Sequence, residues 1–308
     1  MYIEKRKIGK KIKYYLVHSY REKKKVKKIR KYLGQNLAKE ELEEAKNRAR
    51  QHILKLLQEL STEVFLFTLT KKQIEKLNKY EDKIKIIHFD RKEWQRFTEE
   101  FVYNTNAIEG STVQREEVPE ILHKHKPLDT EEIETKGVAK AVEYIKNTKE
   151  DLSIELMQKL HKICFEGSKS FAGQIRNVEV VVRNSKGEIL HQGVPVSQLQ
   201  LAFKDIVKWY KKNKNKFKPL VLAAIIHNQF EYIHPFQDGN GRVGRLLLNF
   251  ILLKNKYPPL NITLEDRAEY YATLQQYQKN QNLKPTVEFF VRQYKKTLSK
   301  VTTKTKKL

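Results

Sequence analysis

The tightest constraint on this chain is a twelve-residue bend, His234-Pro-Phe-Gln-Asp-Gly-Asn-Gly-Arg-Val-Gly-Arg245, set between two apolar runs. The run before it, Leu220 to Ile233, is long enough for a buried helix rather than a strand. A residue that precedes proline is driven out of the right-handed helical region, so this helix is expected to stop at His234. The run after it, Leu246 to Leu253, reads as a second buried helix, with Gly239 or Asn240 as its cap. Such a start leaves the backbone N–H groups of Gly239 to Arg242 without carbonyl partners at the positive end of a helix dipole, which is an anion site.

The side chains around that site suit a nucleotide phosphate. Arg242 and Arg245 are three apart and share one helix face, and a guanidinium offers a planar fork matched to phosphate oxygens. Glycines let backbone come close to a ligand. Asp238 is a hard oxygen ligand of the kind that shares Mg2+ with substrate phosphates. His234 can accept a proton near neutrality. Base, metal ligand and phosphate cradle together describe transfer of a phosphorus-centred group to a hydroxyl. The plainer reading is a capped corner with surface charges, which gives no reason for two arginines beside an aspartate and a helix-ending histidine.

The pattern His-x-Phe-x-Asp-Gly-Asn-Gly-Arg-x-x-Arg resembles the Fic family signature at every fixed position, and the resemblance runs from about Phe97 to about Leu298. It implies a mainly α fold, a Fic helical core with a β-hairpin flap, and transfer of AMP from ATP to a protein Ser, Thr or Tyr with release of pyrophosphate. It also implies that His234 is the base and that Asp238 holds Mg2+ between the α- and β-phosphates. Asn240, Gly241 and Arg242 would cradle those phosphates beside Gly239, and Arg245 would sit nearest the γ-phosphate. A phosphorylating branch of the family has lysine and an altered glycine in this loop; Gly239 and Gly241 here favour nucleotidyl transfer.

Upstream, Thr105-Asn-Ala-Ile-Glu109-Gly110 is similar to the family's inhibitory motif, Ser/Thr-x-x-x-Glu-Gly/Asn. That resemblance places Glu109 on Arg245, where a carboxylate in the guanidinium fork competes with the γ-phosphate. The local reading, Gly110 as the residue that ends a helix at about 98–110, is compatible with it. Ser111 with Gln114 suggests a capping box opening the next helix. In some relatives the inhibitory glutamate also positions water to remove AMP, so de-adenylylation by Glu109 is a variant of the same expectation.

Further helices are expected over Thr130 to Asn147, Ser153 to Glu166, Val196 to Lys212, Lys218 to Ile233, Glu265 to Gln278 and Thr286 to Leu298. Between them, β-branched runs around Asn184-Ser-Lys-Gly187 predict a hairpin. The family's flap is such a hairpin and aligns the target by strand addition, which would assign Arg176, Val180, Val181 and Val182 to target docking. Tyr270, Tyr271 and Tyr277 lie where relatives form the adenine pocket, although tyrosines at helical spacing also suit a core. His161 resembles a family histidine and reads as a helix-packing residue. His227, Glu231 and His234 have the spacing of a metal triad, but a base must keep His234 free.

Residues 1–35 read as a small basic antiparallel β module in which lysines and arginines alternate with tyrosines. That composition suits a phosphate-backbone binder, and equally a soluble edge hairpin. Residues 36–90 read as a helical spacer, with Ile53, Leu56, Leu57 and Leu60 as a packing seam; residues 91–300 are the Fic-like part, and 301–308 a basic, frayed tail. A formal charge of +25 points to polyanionic partners, or to a lysine-rich solvated surface of the thermophile type. Cys164, the single cysteine, cannot form an internal disulfide. No apolar leader or membrane-length run is present, which predicts a cytoplasmic protein away from membranes. The expected partners are ATP, Mg2+ and a protein substrate, with self-modification, homodimerisation and nucleic acid at residues 1–35 as further expectations. A nucleic-acid-binding regulator with a self-modifying switch, phosphotransfer, and use of another nucleotide remain the alternatives.

Overall fold

The computed structural model describes the backbone of all residues except 10, 23–24, 65–66, 83, 85, 184–186, 188 and 304–308, and the side chains except, in addition, those of 20–22, 25, 54–64, 67–68, 183 and 301–303. The chain divides into two compact units, Met1–Lys76 and Leu77–Leu308.

The first unit opens with β1 (Tyr2–Ile8), β2 (Lys11–Glu22) and β3 (Lys25–Gln35), which form an antiparallel sheet in that order. The expected module is therefore present, with its register running from Tyr2↔Val17 to Ile8↔Lys11 and from Lys13↔Gln35 to Glu22↔Lys25. Side chains alternate across a sheet, so Ile3, Leu16 and Ile29 share one face, and Leu33 joins them through a register shift at Tyr14/Tyr15. Helix α1 (Lys39–Leu60) lies on that face through Ala49 and Ile53. It therefore completes the sheet's core and is not a spacer, because a three-stranded sheet this small needs a covering layer to bury its apolar face. Of the expected seam only Ile53 is among the residues whose side chains are described. Between α1 and the second expected helix, α2 (Lys71–Asn78), β4 (Ser61–Val64) and β5 (Phe67–Thr70) pair as a short antiparallel hairpin.

The second unit is helical: α3 (Arg91–Ile108), α4 (Glu117–His123), α5 (Thr130–Asn147), α6 (Ile154–Phe165), α7 (Val196–Asn213), α8 (Pro219–Ile233), α9 (Asn240–Lys254), α10 (Arg267–Asn280) and α11 (Lys284–Thr303). Its centre is the α8–α9 pair; α8 is buried from Leu220 to Glu231, as expected of a run apolar on every side. Around it pack α5, α6, α7, α10 and α11, with α3 against α5, α9 and α11. Asp90 caps α3 in a reciprocal capping box with Glu93, and Ser153 caps α6. The capping box expected at Ser111 does not form: residues 111–114 precede the next helix without regular structure, and the Thr112 backbone N–H and hydroxyl both donate to Glu131. The C-terminal helix also continues to Thr303, past the expected end at Leu298. Between α6 and α7 the hairpin appears as β6 (Val181–Arg183) and β7 (Ile189–Gln192); positions 184–186 of its expected turn lie outside the described residues.

Candidate active site

The bend places its groups by local geometry. α8 ends at Ile233, and His234 takes a left-handed conformation at φ 50°, held by its N–H to Phe230 O at 3.0 Å. Asn240 then closes the loop: its Oδ1 accepts from the Phe236 N–H at 2.9 Å and its Nδ2 donates to Phe236 O at 2.8 Å. The Asn240 side chain is thus committed to the loop, and anything it offers a phosphate comes from its backbone N–H. Gly239 precedes α9 at φ +79°, with Phe165 so near that a Cβ would stand 2.3 Å from its ring. The N–H groups of the first turn of α9 have no carbonyl one turn back.

One side of this loop is dry. Arg245 is 1% exposed, and it donates from Nε to Thr105 Oγ1 at 2.7 Å, and from Nη2 to Thr105 O at 2.9 Å and Glu109 Oε1 at 2.7 Å. α3 therefore delivers both Thr105 and Glu109 to one guanidinium, and Gly110 at φ +96° turns the chain away just after them. The second terminal nitrogen of Arg245, Nη1, is buried with no hydrogen-bond partner among the described residues. It lies 3.0 Å from where a Cβ on Gly241 would stand, and the same Cβ would be 2.2 Å from Glu109 Oε1. Behind Arg245 sit Glu231 and His227. Burial raises the Glu231 carboxyl to about 8, only partly offset by Arg245, and lowers His227 to about 3. Burial also opposes the charge on Arg245, but Glu109, Tyr270 and Tyr271 hold its pKa above the ordinary value.

The other side is polar. Arg242 pairs with Glu134 of α5 and lies over the Phe165 ring at 4.4 Å. Lys169 bridges Asp238 Oδ2 at 2.9 Å and Glu134 Oε1 at 3.2 Å. Burial raises the Asp238 carboxyl, but the hydrogen bond from Lys169 and the charge of Arg242 outweigh it, so the net shift is downward and Asp238 is ionised. His161 receives the Gly173 N–H on Nδ1 at 2.7 Å, so it is the Nε2–H tautomer, donating to Asp238 O at 3.0 Å. It stacks on Phe236 and burial lowers it to about 4, so it is a neutral strut under the loop, as its sequence reading held.

His234 is half-buried and burial, reinforced by His191, lowers it to about 4. Its Nδ1 lies 3.4 Å from Glu231 O, so Nδ1–H donates there and Nε2 keeps its lone pair. Arg176 was expected to dock a target. It instead lies 4% exposed beneath the flap and donates to the carbonyls of His234 (2.7 Å), Val178 (2.7 Å) and Val194. It fastens the flap to the bend. Val181 pairs with Gln192 and Val182 with His191, while Val180 O accepts the Gly193 N–H. Val181 is 40% exposed, which leaves a hairpin edge beside His234.

Tyr270 and Tyr277 are packed into the core. They are 1% and 4% exposed, and their hydroxyls bind His227 Nε2 (2.9 Å) and Gln229 of α8. His227 is thereby engaged by Tyr270, not turned toward His234 as a metal triad would need. Tyr271 is half-buried with its hydroxyl 3.4 Å from Ile108 O, next to the Glu109 turn. Among the described residues no group of three or more His, Cys, Asp or Glu could hold a metal alone. One ionised carboxylate, Asp238, beside orphan helix N–H groups instead fits Mg2+ carried in with phosphates. The residues that the sequence did not single out are Glu134, Lys169 and His191. Each reaches the bend from a different segment, and no local spacing marks them.

Residues 151–252 match the family model described as Fic/DOC family. The chain is 32% identical over 187 residues to protein adenylyltransferase fic-1 of Caenorhabditis elegans, covering 56% of this chain and 35% of that protein. It is 28% identical over 207 residues to protein adenylyltransferase Fic of Nematostella vectensis, covering 64% and 47%. The chain thus spans half or less of the length of these relatives. Among solved structures, a Fic domain containing signaling protein from Bacteroides thetaiotaomicron superposes with a TM-score of 0.64 at 25% identity, over 75% of this chain and 94% of that one. The family model falls on α6 through α9, the elements that build the bend, so the chain carries a Fic/DOC family domain at residues 151–252.

Proposed function

We propose that this chain is a protein adenylyltransferase held off by its own Glu109. The observation that carries this reading is the state of Arg245. A fully buried guanidinium has one nitrogen taken by a carboxylate and another with no hydrogen-bond partner among the described residues, beside a helix N-terminus suited to phosphate.

ATP enters with its phosphates on the first-turn N–H groups of α9 and its γ-phosphate on Arg245, in the place of Glu109. Mg2+, held by Asp238 and the phosphates, would offset the charge of the leaving pyrophosphate. His234 Nε2 takes the proton of a protein hydroxyl. The hydroxyl oxygen forms a bond to the α-phosphorus as the bond from that phosphorus to the β-bridging oxygen breaks, and pyrophosphate departs. The exposed edge of β6 aligns the target by main-chain hydrogen bonds, which favours an extended segment of a protein, this chain's own included.

The test is transfer of label from α-labelled ATP with Mg2+, read by the mass of the product. Glu109→Gly should gain AMP on itself or on added protein, and Glu109→Gly with His234→Ala should not. No transfer by Glu109→Gly at any Mg2+ concentration would refute the reading. Transfer from γ-labelled ATP instead would replace it with phosphotransfer.

A further inference from the structure

The N-terminal unit carries a surface that the nucleotide chemistry does not use. Fourteen of the chain's 62 Lys and Arg residues lie within residues 1–35, against two of its 37 Asp and Glu, so that 35 residues hold a net +12 of the total +25. A lysine-rich solvated surface spreads its charge along the chain; this chain concentrates half of it in its first 35 residues.

The register shows how that charge is arranged. The face packed by α1 holds Ile3, Leu16 and Ile29. The opposite face carries Glu4, Arg6 and Ile8 from β1, Lys11, Lys13 and Tyr15 from β2, and Lys28, Arg30 and Tyr32 from β3, around Val17, which is buried. Its arginines are pre-set. Glu4 accepts from Arg6 Nε at 2.7 Å and from Arg30 Nη2 at 3.0 Å, one carboxylate orienting two guanidiniums. Arg6 also lies over the Tyr15 ring at 5.4 Å, and Tyr15 meets Tyr32 at 5.3 Å. Arg6, Lys11, Lys28, Arg30 and Tyr32 are all exposed.

We infer that this face of β1–β2–β3 is a duplex DNA-binding surface that lies along the major groove, with Arg6, Lys13, Lys28 and Arg30 on the flanking phosphates. Three strands about 4.8 Å apart make a face roughly 10 Å wide. The B-form major groove, about 12 Å wide, admits strands, and sheets are an attested way to read it. The A-form major groove of duplex RNA is too deep and narrow for side chains on such a face. An acidic protein would satisfy the charge but gives no use for a face whose two arginines are held at fixed spacing across three strands. The inference stands independently of the adenylylation reading, since it uses no residue of that site.

The experiment is fluorescence anisotropy of a labelled 20-base-pair DNA duplex with the full chain over a salt series. A charge-reversed pair on the outer face, Lys13→Glu with Lys28→Glu, is compared with a charge-matched pair on the α1 side, Lys5→Glu with Lys27→Glu. Thermal melts and adenylylation by the Glu109→Gly background report that each variant is folded. The wild type should bind the duplex with a log–log salt slope of about −3 to −5, from four or five phosphate contacts. The outer pair should weaken binding at least tenfold and flatten the slope by about two, while the α1-side pair changes binding less than threefold. Equal losses for the two pairs would overturn the face assignment. Absence of duplex binding at 50 mM salt, or equal affinity for duplex RNA or for polyglutamate, would overturn the DNA assignment.

Discussion

Arg242 and Arg245 leave the same turn of α9 and differ in what surrounds them. Arg245 is sealed between α3 and α8, and answered by Thr105 and Glu109 from one helix. Arg242 is answered by Glu134 from α5, with Lys169 and Asp238 completing a chain of alternating charge on the more open side. Both guanidiniums are buried, at 1% and 6% exposed, so the difference lies in what answers them. Arg245 has one carboxylate, which a phosphate can replace only at similar strength, whereas Arg242 shares Glu134 with Lys169, and Asp238 at the end of that network is half exposed. The dry side therefore suits a lock, and the polar side suits entry and exit of a metal-bound phosphate.

The largest effect should come from the one group that serves neither arginine. In the Glu109→Gly background, His234→Ala should lower transfer by about 10²–10⁴-fold, the range of a general base, read by rate of label incorporation. A loss below tenfold would mean another group takes the proton. Next, the sides should separate in stability. Arg245→Ala strands Glu109 and should cost about 3–5 kcal/mol by urea unfolding, while Arg242→Ala, with Lys169 still beside Glu134, should cost about 1–2 kcal/mol. Equal costs would erase the contrast between a single pair and a network. Smaller again, Lys169→Met removes a cation that competes for Asp238, and should lower the Mg2+ concentration needed for half-maximal transfer about twofold to fivefold.

The pH dependence should divide the two sides least, because buried titratable groups lie behind both. His161 and His227 have pKa values depressed by burial to about 4 and about 3. The unfolded chain binds their protons first, so the stability they contribute is intact above about pH 6.5 and is lost as pH falls below it, at up to ~1.4 kcal/mol per unit for each group. Glu231 runs the other way: raised to about 8, it stays protonated in the fold while its unfolded form ionises, so stability falls as pH rises from about 4.5 to 8. Glu231→Gln should therefore raise the melting temperature at pH 8 and leave it nearly unchanged at pH 4.5. An equal shift at both would remove titration of Glu231 as the cause.

Much of the helical unit could be read from periodicity. The helix over Thr130–Asn147 was expected at the bounds that α5 has, because acidic residues open it and an apolar stripe of Val138, Val142 and Ile145 runs through it. The Thr105–Glu109 spacing was also legible, since both side chains meet Arg245. Errors gathered where a local rule met a non-local partner. Ser111 had a capping sequence, but Glu131 took the neighbouring Thr112. Arg176 had the charge for a docking group, yet three backbone carbonyls of the bend and flap bind it. Tyr270 and Tyr277 had an adenine-pocket position and became hydrogen-bond partners of α8.

The sequence alone determined the bend, its two flanking helices, the first-turn amides and the order of histidine, aspartate and arginines, because these follow from residues a few positions apart and the steric rules of proline, glycine and helix ends. Only the tertiary structure decided which charges answer each other. Glu109 reaches Arg245 across 136 positions and Glu134 reaches Arg242 across 108. Pairings at such separations are set by how α3, α5 and α9 pack their buried faces, and by the free-energy cost of leaving a guanidinium in a dry core without a partner.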